Sequence, residues 1–193
     1  MKVLVACEYS GIVRDAFAAK GHEAMSCDLL PTEKPGWHYQ GDVREVLNYP
    51  WDLMIAHPPC THLSSSGAAW FETKRANGSQ QAGASFVLML AKADIPRIAI
   101  ENPIGVLSSL WRKPDQIVQP YQYGHTERKA TCLWLKGLPK LQPTNNVFEA
   151  MMKLPKRERE RLHYLPPSPD RWKLRSTTFQ GIADAMAEQW GQA

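Results

Sequence analysis

Residues 2–28 have the sequence KVLVACEYSGIVRDAFAAKGHEAMSCD, and this stretch decides the fold class. The apolar run at residues 2–7 has no helical period, so it predicts a buried strand, and the turn-like pair Ser10-Gly11 follows it. Apolar residues then recur at helical spacing over residues 12–17, and a second strand-like run ends at Asp28. A strand, a helix and a strand in this order form a β-α-β unit.

The same alternation continues along the rest of the chain. Further strands are predicted at residues 52–56, 97–100 and 130–135, and helices at residues 81–93, 147–154 and 179–190. Strands that alternate with helices indicate an α/β fold, with a mostly parallel sheet covered by helices on both faces and a ligand site at the C-terminal ends of the strands. We predict a single domain over residues 1–193, in which residues 139–175 form a short basic excursion.

The composition is that of a globular protein without membrane segments. Hydrophobic residues make up 44% and charged residues 22%, which excludes the charge-rich, apolar-poor class of disordered chains. No apolar run is long enough to span a bilayer, and the N-terminus lacks a signal-peptide pattern. The four cysteines have no paired spacing, so we expect reduced thiols, a cytoplasmic location and no metal site. The net charge of +4, with basic residues crowded in residues 153–175, is compatible with a polyanionic partner.

Cys60 is the candidate nucleophile. It follows a Pro-Pro pair, which fixes its own backbone φ and would present the thiol on a stiff turn after a strand. The thiolate is the reactive form, and His57, His62, a helix N-terminus or a basic residue could lower the pKa of Cys60. The alternative is a small buried hydrophobic residue, which is the commonest role of a lone cysteine. Segment 61–67 favours the functional interpretation, because its small polar residues predict a mobile loop that closes over a substrate.

Two motifs resemble those of the DNA cytosine-C5 methyltransferases. Residues 59–67, PCTHLSSSG, are similar to the family's catalytic loop, in which Pro-Cys-x-x-Phe-Ser-x-x-Gly is typical, and Glu101-Asn102-Pro103 resembles its Glu-Asn-Val motif. The resemblance implies a Rossmann-like fold and an enzyme that uses S-adenosyl-L-methionine (AdoMet) to methylate C5 of cytosine in DNA. In that reaction the Cys60 thiolate adds to C6 of the pyrimidine while Glu101 engages the ring N3. Arg128, in a segment loosely similar to the family's arginine motif, would hold the pyrimidine O2 or a phosphate.

The resemblance also implies a pocket for AdoMet. Segments 7–11, 41–43 and 179–183 are similar to the family's cofactor motifs, although the first keeps only one glycine. Asp28 stands about 20 residues after the first turn, where an α/β nucleotide site has the acid that binds ribose hydroxyls. The residues that the resemblance assigns to the cofactor are Glu8, Ser10, Gly11, Asp28, Asp42, Val43, Pro58 and Gly181.

Two departures from the family pattern bear on the substrate. His57 stands where the family has glycine, and it would tune Cys60, contact the substrate or alter the chemistry. Residues 139–175 are too few for a recognition domain that reads duplex DNA, but their basic residues, with Tyr164 and Trp172, suit phosphate contacts and stacking on single strands. The expected partner is DNA, with single strands or a cytosine nucleotide as alternatives. A protein partner would supply the missing recognition surface, and no membrane contact is expected.

Two other functions compete with methyl transfer. A protein that keeps the methyltransferase fold without catalysis would bind a nucleotide, a nucleic acid or a protein partner, and the missing recognition domain favours it. A zinc nucleobase deaminase would act on a similar substrate, but it requires a Pro-Cys-x-x-Cys motif, and Leu63 stands three residues after Cys60. A nucleophile and a carboxyl in matching contexts favour an enzyme, since a pure binding protein has no use for a nucleophile.

Overall fold

The computed structural model describes residues 1–192, which contain one seven-stranded sheet and eight α-helices. The strands are β1 (Lys2–Ala6), β2 (Glu23–Asp28), β3 (His38–Gln40), β4 (Leu53–Ala56), β5 (Arg97–Pro103), β6 (Gln116–Val118) and β7 (Thr131–Lys136). The helices are α1 (Ile12–Ala19), α2 (Phe71–Ala76), α3 (Ser79–Ala91), α4 (Leu107–Leu110), α5 (Phe148–Met152), α6 (Lys156–Arg159), α7 (Arg171–Ser176) and α8 (Gln180–Trp190). Within this described part of the chain, no helix combines the length and the apolar character needed to cross a membrane.

The sheet has the strand order β3-β2-β1-β4-β5-β7-β6. Neighbouring strands from β3 to β5 are parallel, and β7 runs antiparallel to both β5 and β6. The predicted fold class, α/β with a mostly parallel Rossmann-like sheet, is confirmed. The chain builds outward from β1 to β3 and then returns to place β4 on the other side of β1. In open α/β sheets, the crevice beyond the carboxyl ends of two such strands is the usual ligand site.

The sheet separates two hydrophobic layers. In β1 the side chains of Val3 and Val5 belong to the layer that α1 and α8 complete, whereas Leu4 and Ala6 belong to the layer that α3 completes. Residues 3–6 of this strand are fully buried, because successive side chains point to opposite faces and helices cover both. Two-sided burial explains why the strands of this protein are continuous apolar runs rather than alternating patterns.

Arg14 is a charged side chain inside this packing. It lies on α1, is 1% exposed, and donates to Ser26 Oγ at 3.2 Å and Thr32 Oγ1 at 3.1 Å. It also donates to the carbonyls of residues 34 and 35, and it pairs with Asp15 at 2.7 Å. A buried charge is tolerated only when it is paired and hydrogen-bonded, as this one is. The side chain therefore fastens the loop between β2 and β3 to α1.

Several elements differ from the sequence-based expectation. β3 and β6 are three-residue strands at the two edges of the sheet, too short to show a recognisable period. The prediction of one short helix in residues 139–175 is incomplete, since α5, α6 and α7 all lie there. β5 continues beyond residue 100 to Pro103, because its second half pairs with β7. Glu101 therefore lies within a strand and not after one.

Trp190 tests the packing of the terminal helix. Its side chain is 0% exposed, and its Nε1 donates to Pro139 O at 2.9 Å. We expect Trp190→Ala to lower the free energy of unfolding by about 3–5 kcal/mol, because it leaves a cavity in the core. Trp70→Ala removes the same side chain from a position that is 65% exposed, and it should change stability by less than about 0.5 kcal/mol. Chemical denaturation measures both variants, and equal losses would contradict the described burial.

Candidate active site

The candidate site lies at the carboxyl ends of β1, β4 and β5. Ala6 pairs with Ala56 at the end of the β1–β4 ladder, and the backbone N–H of His57 donates to Ala6 O at 2.9 Å. These contacts hold the turn after β1, residues 7–11, beside the turn after β4, residues 57–60. Because the strand order reverses between β1 and β4, the two turns border the expected ligand crevice.

Cys60 lies half-buried on a turn that is held from both sides. Its carbonyl accepts from the backbone N–H groups of Leu63 at 3.0 Å and Ser64 at 2.9 Å. Before it, Pro58 O accepts from Asn102 Nδ2 at 2.9 Å, which ties the turn to β5. The neighbouring strand, as well as the two prolines, therefore fixes the position of the thiol.

The segment after this turn is fastened to the end of β5. Ser64 forms a β-bridge with Gly105, and the N–H of Val106 donates to Leu63 O at 2.9 Å. Leu63 is 1% exposed and belongs to the core. The expectation of a mobile loop over residues 61–67 is wrong for residues 63 and 64, because a buried side chain and backbone hydrogen bonds hold them in place.

His57 and Glu101 form a buried ion pair, with 2.6 Å between Nδ1 and Oε2. Burial lowers the pKa of His57, but the hydrogen bond and negative charge of Glu101 outweigh it, and the net pKa is raised. Burial raises the pKa of Glu101, yet the hydrogen bond and charge of His57 outweigh it in turn, and the net pKa is lowered. The pair was not predicted as such, although both residues stand at the ends of adjacent predicted strands.

The pKa of Cys60 lies above its ordinary value of 9.0, first because the thiol is buried and then because Glu101 is negative. The positive charges of Lys129 and Arg175 lower it without compensating. Basic residues therefore do lower the pKa of this thiol, as expected, but the net pKa stays above its ordinary value. His57, one of the groups expected to do so, is engaged by Glu101.

Lys129 is a cation of the site that the sequence analysis missed. Its charge lowers the pKa of His57, Cys60 and Glu101 alike, and its Nζ lies 3.5 Å from Thr177 O. The candidate Arg128 is exposed and reaches the excursion instead, where its Nη2 lies 3.6 Å from the sulfur of Met152. In the predicted arginine motif, Lys129 and not Arg128 therefore acts on the thiol. Nothing in the sequence distinguished the two adjacent cations.

The turn after β1 is built around the carboxylate of Glu8. Glu8 is 5% exposed, and its oxygens accept from Ser10 Oγ at 3.1 Å and from the N–H groups of residues 13 and 14 at 2.7 and 3.2 Å. The carboxylate thus satisfies free donors at the N-terminus of α1, where the helix dipole also favours a negative charge. Two residues in the left-handed region bend the turn, Cys7 at φ 60° and Gly11 at φ 74°. Strained backbone of the kind found at Cys7 is concentrated at functional sites.

Asp28 lies where the sequence analysis placed it, as the last residue of β2. Burial raises the pKa of its carboxyl, which is the largest effect on it, and Oδ1 accepts from the N–H of Leu30 at 2.9 Å. The adjacent Leu29 is 72% exposed. An acid and an exposed apolar side chain therefore stand together at the end of this strand.

The side chains of Asp42 and Val43 are both engaged within the protein. Asp42 caps the short 3-10 turn Val43–Glu45 by accepting from the N–H of Arg44 at 3.0 Å, and it pairs with Arg44 Nη1 at 2.7 Å. The hydrogen bond from that N–H is the main reason that the pKa of Asp42 is lowered. Val43 is 4% exposed and packs in the core.

Gly181 lies on the first turn of α8, against the end of the segment that follows β6. Its N–H donates to His125 Nε2 at 3.0 Å, and a Cβ added here would lie 1.9 Å from Tyr123 O. Close approach of two backbones therefore requires the glycine at this position. The structure brings Gly181 to Tyr123 and His125, and it pairs neither of them with the turn at residues 7–11.

Helix α7, from the basic excursion, covers the turn after β1. The ring of Trp172 lies 5.6 Å from the ring of Tyr9, and Tyr9 Oη donates to Lys173 O at 3.3 Å. Lys173 pairs with Glu33 of the β2–β3 loop at 3.2 Å. Arg175 of the same helix acts on the pKa of Cys60. The excursion therefore contacts the turn after β1, and the charge of Arg175 acts on the turn after β4.

A His-x-Glu spacing, the first part of a zinc deaminase motif, occurs at residues 125–127. His125 accepts the N–H of Gly181 and contacts the ring of Phe179 edge-on at 5.0 Å, while Glu127 pairs with Arg161 at 3.0 Å. Within residues 1–192, no three His, Cys, Asp or Glu side chains are grouped so that they could hold a metal ion.

Comparisons with known proteins give distant likenesses among solved structures alone. No protein-family model and no curated protein matches the chain. Among solved structures, it is similar to a crystal structure described as a "putative DNA modification methyltransferase encoded within prophage", from E. coli. The two chains are 16% identical, the match covers 81% of this chain and 56% of that one, and the TM-score is 0.46. The matched region thus spans little more than half of the other chain, and a likeness of this degree carries no information about the reaction.

Gly105 tests the attachment of the segment after Cys60. A Cβ at this position would lie 2.0 Å from Leu63 O, so we expect Gly105→Ala to lower the free energy of unfolding by about 1–3 kcal/mol through overpacking. Gly83→Ala is the matched control, because its Cβ would lie 3.5 Å from the side chain of the same Leu63. As a position inside α3 it should gain roughly 0.5–1 kcal/mol. Unchanged stability of Gly105→Ala in chemical denaturation would contradict the described attachment.

The raised pKa of Cys60 predicts slow alkylation at neutral pH. Because the thiolate is the nucleophile, the rate of reaction with iodoacetamide should rise about tenfold per pH unit, without a plateau below pH 9.0. Peptide mass spectrometry distinguishes this thiol from the three other cysteines. A plateau below pH 8 would indicate a thiol activated by its neighbours and would contradict the described electrostatics.

Proposed function

We propose that this protein is an AdoMet-dependent methyltransferase that methylates C5 of cytosine in DNA through a covalent adduct at Cys60. The observation that carries the proposal is the grouping of Cys60, on the turn after β4, with Glu101, which follows the last β5 residue that pairs with β4. The two groups are close enough for the charge of Glu101 to raise the pKa of the thiol. A nucleophile and a carboxyl are the two groups that addition to a pyrimidine ring requires.

The chemistry begins with the addition of the Cys60 sulfur to C6 of the ring. The electrons of the C5–C6 double bond then move towards C5 and N3. Glu101 engages N3, where negative charge develops. When bound, AdoMet supplies the electrophilic methyl group that C5 takes up. Water then takes the hydrogen on C5 as a proton, and the sulfur leaves C6 as a thiolate, which restores the aromatic ring and frees Cys60.

Two cations support this addition. Lys129 and Arg175 both favour the thiolate form of Cys60, and either is suited to hold the pyrimidine O2 or a phosphate near the thiol. Lys129 makes a 3.5 Å contact to a backbone carbonyl and lies 5.9 Å from the ring centre of Phe179, so its ammonium has hydrogens left to donate to a substrate. We therefore assign to Lys129 the role that the resemblance gives to Arg128.

The proposed cofactor fits the turns that border the crevice, with some roles changed. Asp28 would bind ribose hydroxyls, beside the exposed apolar surface of Leu29. Gly11, and the strained turn that contains it, would let the cofactor approach the backbone. Glu8 and Ser10 would shape this turn, because their hydrogen bonds are directed to each other and to α1. Contact with the adenine through Asp42 would require its Arg44 ion pair to open.

The other three assigned residues would meet the cofactor without a side-chain hydrogen bond. Pro58 O is taken by Asn102 Nδ2, so this residue would contact the cofactor through its ring. Val43 is buried, and it would offer only a wall to the adenine. Gly181 would act through the packing of α8 on residues 123–125.

We propose DNA as the substrate on the basis of charge and exposed rings. The excursion at 139–175 lines a cavity of about 550 Å³ with Arg157, Arg161 and Tyr164, groups suited to phosphates and to base stacking. Glu127 and Glu158 also line this cavity, so a phosphate there would require the Arg161–Glu127 ion pair to open. The proposal treats the chain as one catalytic domain with this excursion in place of a recognition domain. The alternative substrates are single-stranded DNA and a cytosine nucleotide. A protein partner is the alternative source of a recognition surface.

A second candidate function is a protein of this fold that binds a nucleotide, a nucleic acid or a protein partner without catalysis. The raised pKa of Cys60 favours it, because a thiol that stays protonated is a poor nucleophile. The carboxylates of Glu8 and Asp42, already engaged within the protein, favour it as well. Catalysis is preferred because Cys60 and Glu101 both follow the end of the β4–β5 ladder, where a substrate would lie.

Trapping of the adduct tests the proposed function. A 5-fluorocytosine oligonucleotide with AdoMet should form a covalent adduct with the wild-type protein, because fluorine blocks the final loss from C5. Cys60→Ser should lose methyl transfer by roughly 10³-fold or more, since it removes the nucleophile. Cys132→Ala, which removes a buried thiol from β7, should still form the adduct.

Labelled methyl transfer to duplex DNA, single-stranded DNA and dCMP then identifies the substrate class. An adduct that persists in Cys60→Ser would remove Cys60 from its role. AdoMet binding without methyl transfer to any of these substrates would contradict the enzyme and favour the binding protein.

A further inference from the structure

The ion pair of His57 and Glu101 places the proton of the site on the histidine. Nδ1 lies 2.6 Å from Oε2, and the two side chains are only 11% and 12% exposed. The pKa of His57 is raised and that of Glu101 is lowered, because their mutual attraction outweighs burial in both cases. Below the first pKa and above the second, the imidazole is protonated and the carboxyl is ionised.

The charged groups that face the pair come from each neighbouring strand end. Glu8, after β1, raises the pKa of His57, whereas Lys129, before β7, lowers the pKa of both partners. Asp28, at the end of β2, feels the positive charge of His57. Cys60, on the same turn as His57, feels the negative charge of Glu101. The two acids outside the pair therefore favour a protonated His57.

This charge distribution leaves Glu101 without a hydrogen to donate. N3 of neutral cytosine is an acceptor, and it needs a proton when sulfur adds to C6. An ionised carboxylate alone cannot supply that proton. A buried ion pair is also weak evidence for a stabilising role, because desolvation cancels much of its attraction. His57 holds the hydrogen that the reaction lacks, one hydrogen bond away from the group that would deliver it.

We propose that His57 is a positioning residue that stores the proton which Glu101 passes to N3; the inference rests on the proposed function. As the Cys60 sulfur forms its bond to C6, the π bond between C5 and C6 breaks and N3 becomes basic. One proton then passes from His57 Nδ1 through the carboxylate of Glu101 to N3. His57 becomes neutral with its hydrogen on Nε2, Glu101 stays ionised, and the charge lost by the thiolate balances the charge lost by the imidazolium. Expulsion of the sulfur returns the proton by the same path.

The test compares the pH dependence of adduct formation in the wild type and in His57→Asn, with the 5-fluorocytosine oligonucleotide at saturation. Asparagine keeps an N–H donor close to the position of Nδ1, but it has no proton to transfer. In the wild type, the rate should fall as the pH drops below the raised pKa of His57. His57 is already protonated there, so a lower pH removes thiolate without adding stored proton. In the variant, Glu101 must take its proton from water, so this fall should begin at lower pH.

The expected difference has a characteristic shape. At pH 7–8 the rate of His57→Asn should be lower by roughly 10- to 100-fold, since one pH unit between the two donor pKa values corresponds to a factor of ten. The two rates should converge towards pH 5. A purely structural role would lower the rate by the same factor at every pH, and that result, or an unchanged profile, would overturn the inference while leaving the proposed function intact.

A second measurement does not depend on catalysis. Imidazole NMR signals of the wild-type protein should show that the pKa of His57 lies above its ordinary value of 6.5, and Glu101→Gln should lower that pKa. A wild-type pKa at or below 6.5 would overturn the inference. If the wild type forms neither adduct nor methylated product, the proposed function fails, and the proton path fails with it.

Discussion

The parallel pairing of β1 with β4 is the constraint on which the site depends. It brings the two turns together, because the ladder ends at Ala6 and Ala56 and the next N–H, from His57, still bonds back to β1. The adjacent pairing of β4 with β5 then sets Glu101 beside this turn. Burial on both faces keeps the register, since a shift of one residue would exchange the two hydrophobic layers. The positions of Cys60, His57 and Glu101 thus follow from strand pairing.

Two buried charged side chains hold the neighbouring segments in place through hydrogen bonds. Glu8 uses its carboxylate to hold the start of α1, and Arg14, one turn further, holds the loop after β2. Each is almost fully buried, and each is satisfied by several hydrogen bonds. Such groups lock the loops that border a pocket more firmly than apolar contacts would, because every lost hydrogen bond leaves a buried polar group without a partner.

The sequence was informative where burial acts locally and uninformative where partners are distant in the chain. The β-α-β unit at residues 2–28 was predictable, because a strand buried on both faces and an amphipathic helix have distinct patterns. The strand ends also predicted that Cys60 and Glu101 lie near each other. The raised pKa of Cys60, the ion pair of His57 and the approach of Lys129 depend on groups from several strands, and no local pattern contains them. The expected mobile loop failed for the same reason, since Gly105 holds it from a distance.

The position of helix α7 determines where a further domain can be inserted into this protein. Trp172 and Lys173 seal the turn after β1 and the loop after β2, so this helix belongs to the wall of the crevice even though it lies in the basic excursion. Residues 167–169, between α6 and α7, are exposed and do not line the cavity of Arg161 and Tyr164. A domain would therefore be inserted at residues 167–169, where the insertion leaves the closing helix attached on its far side.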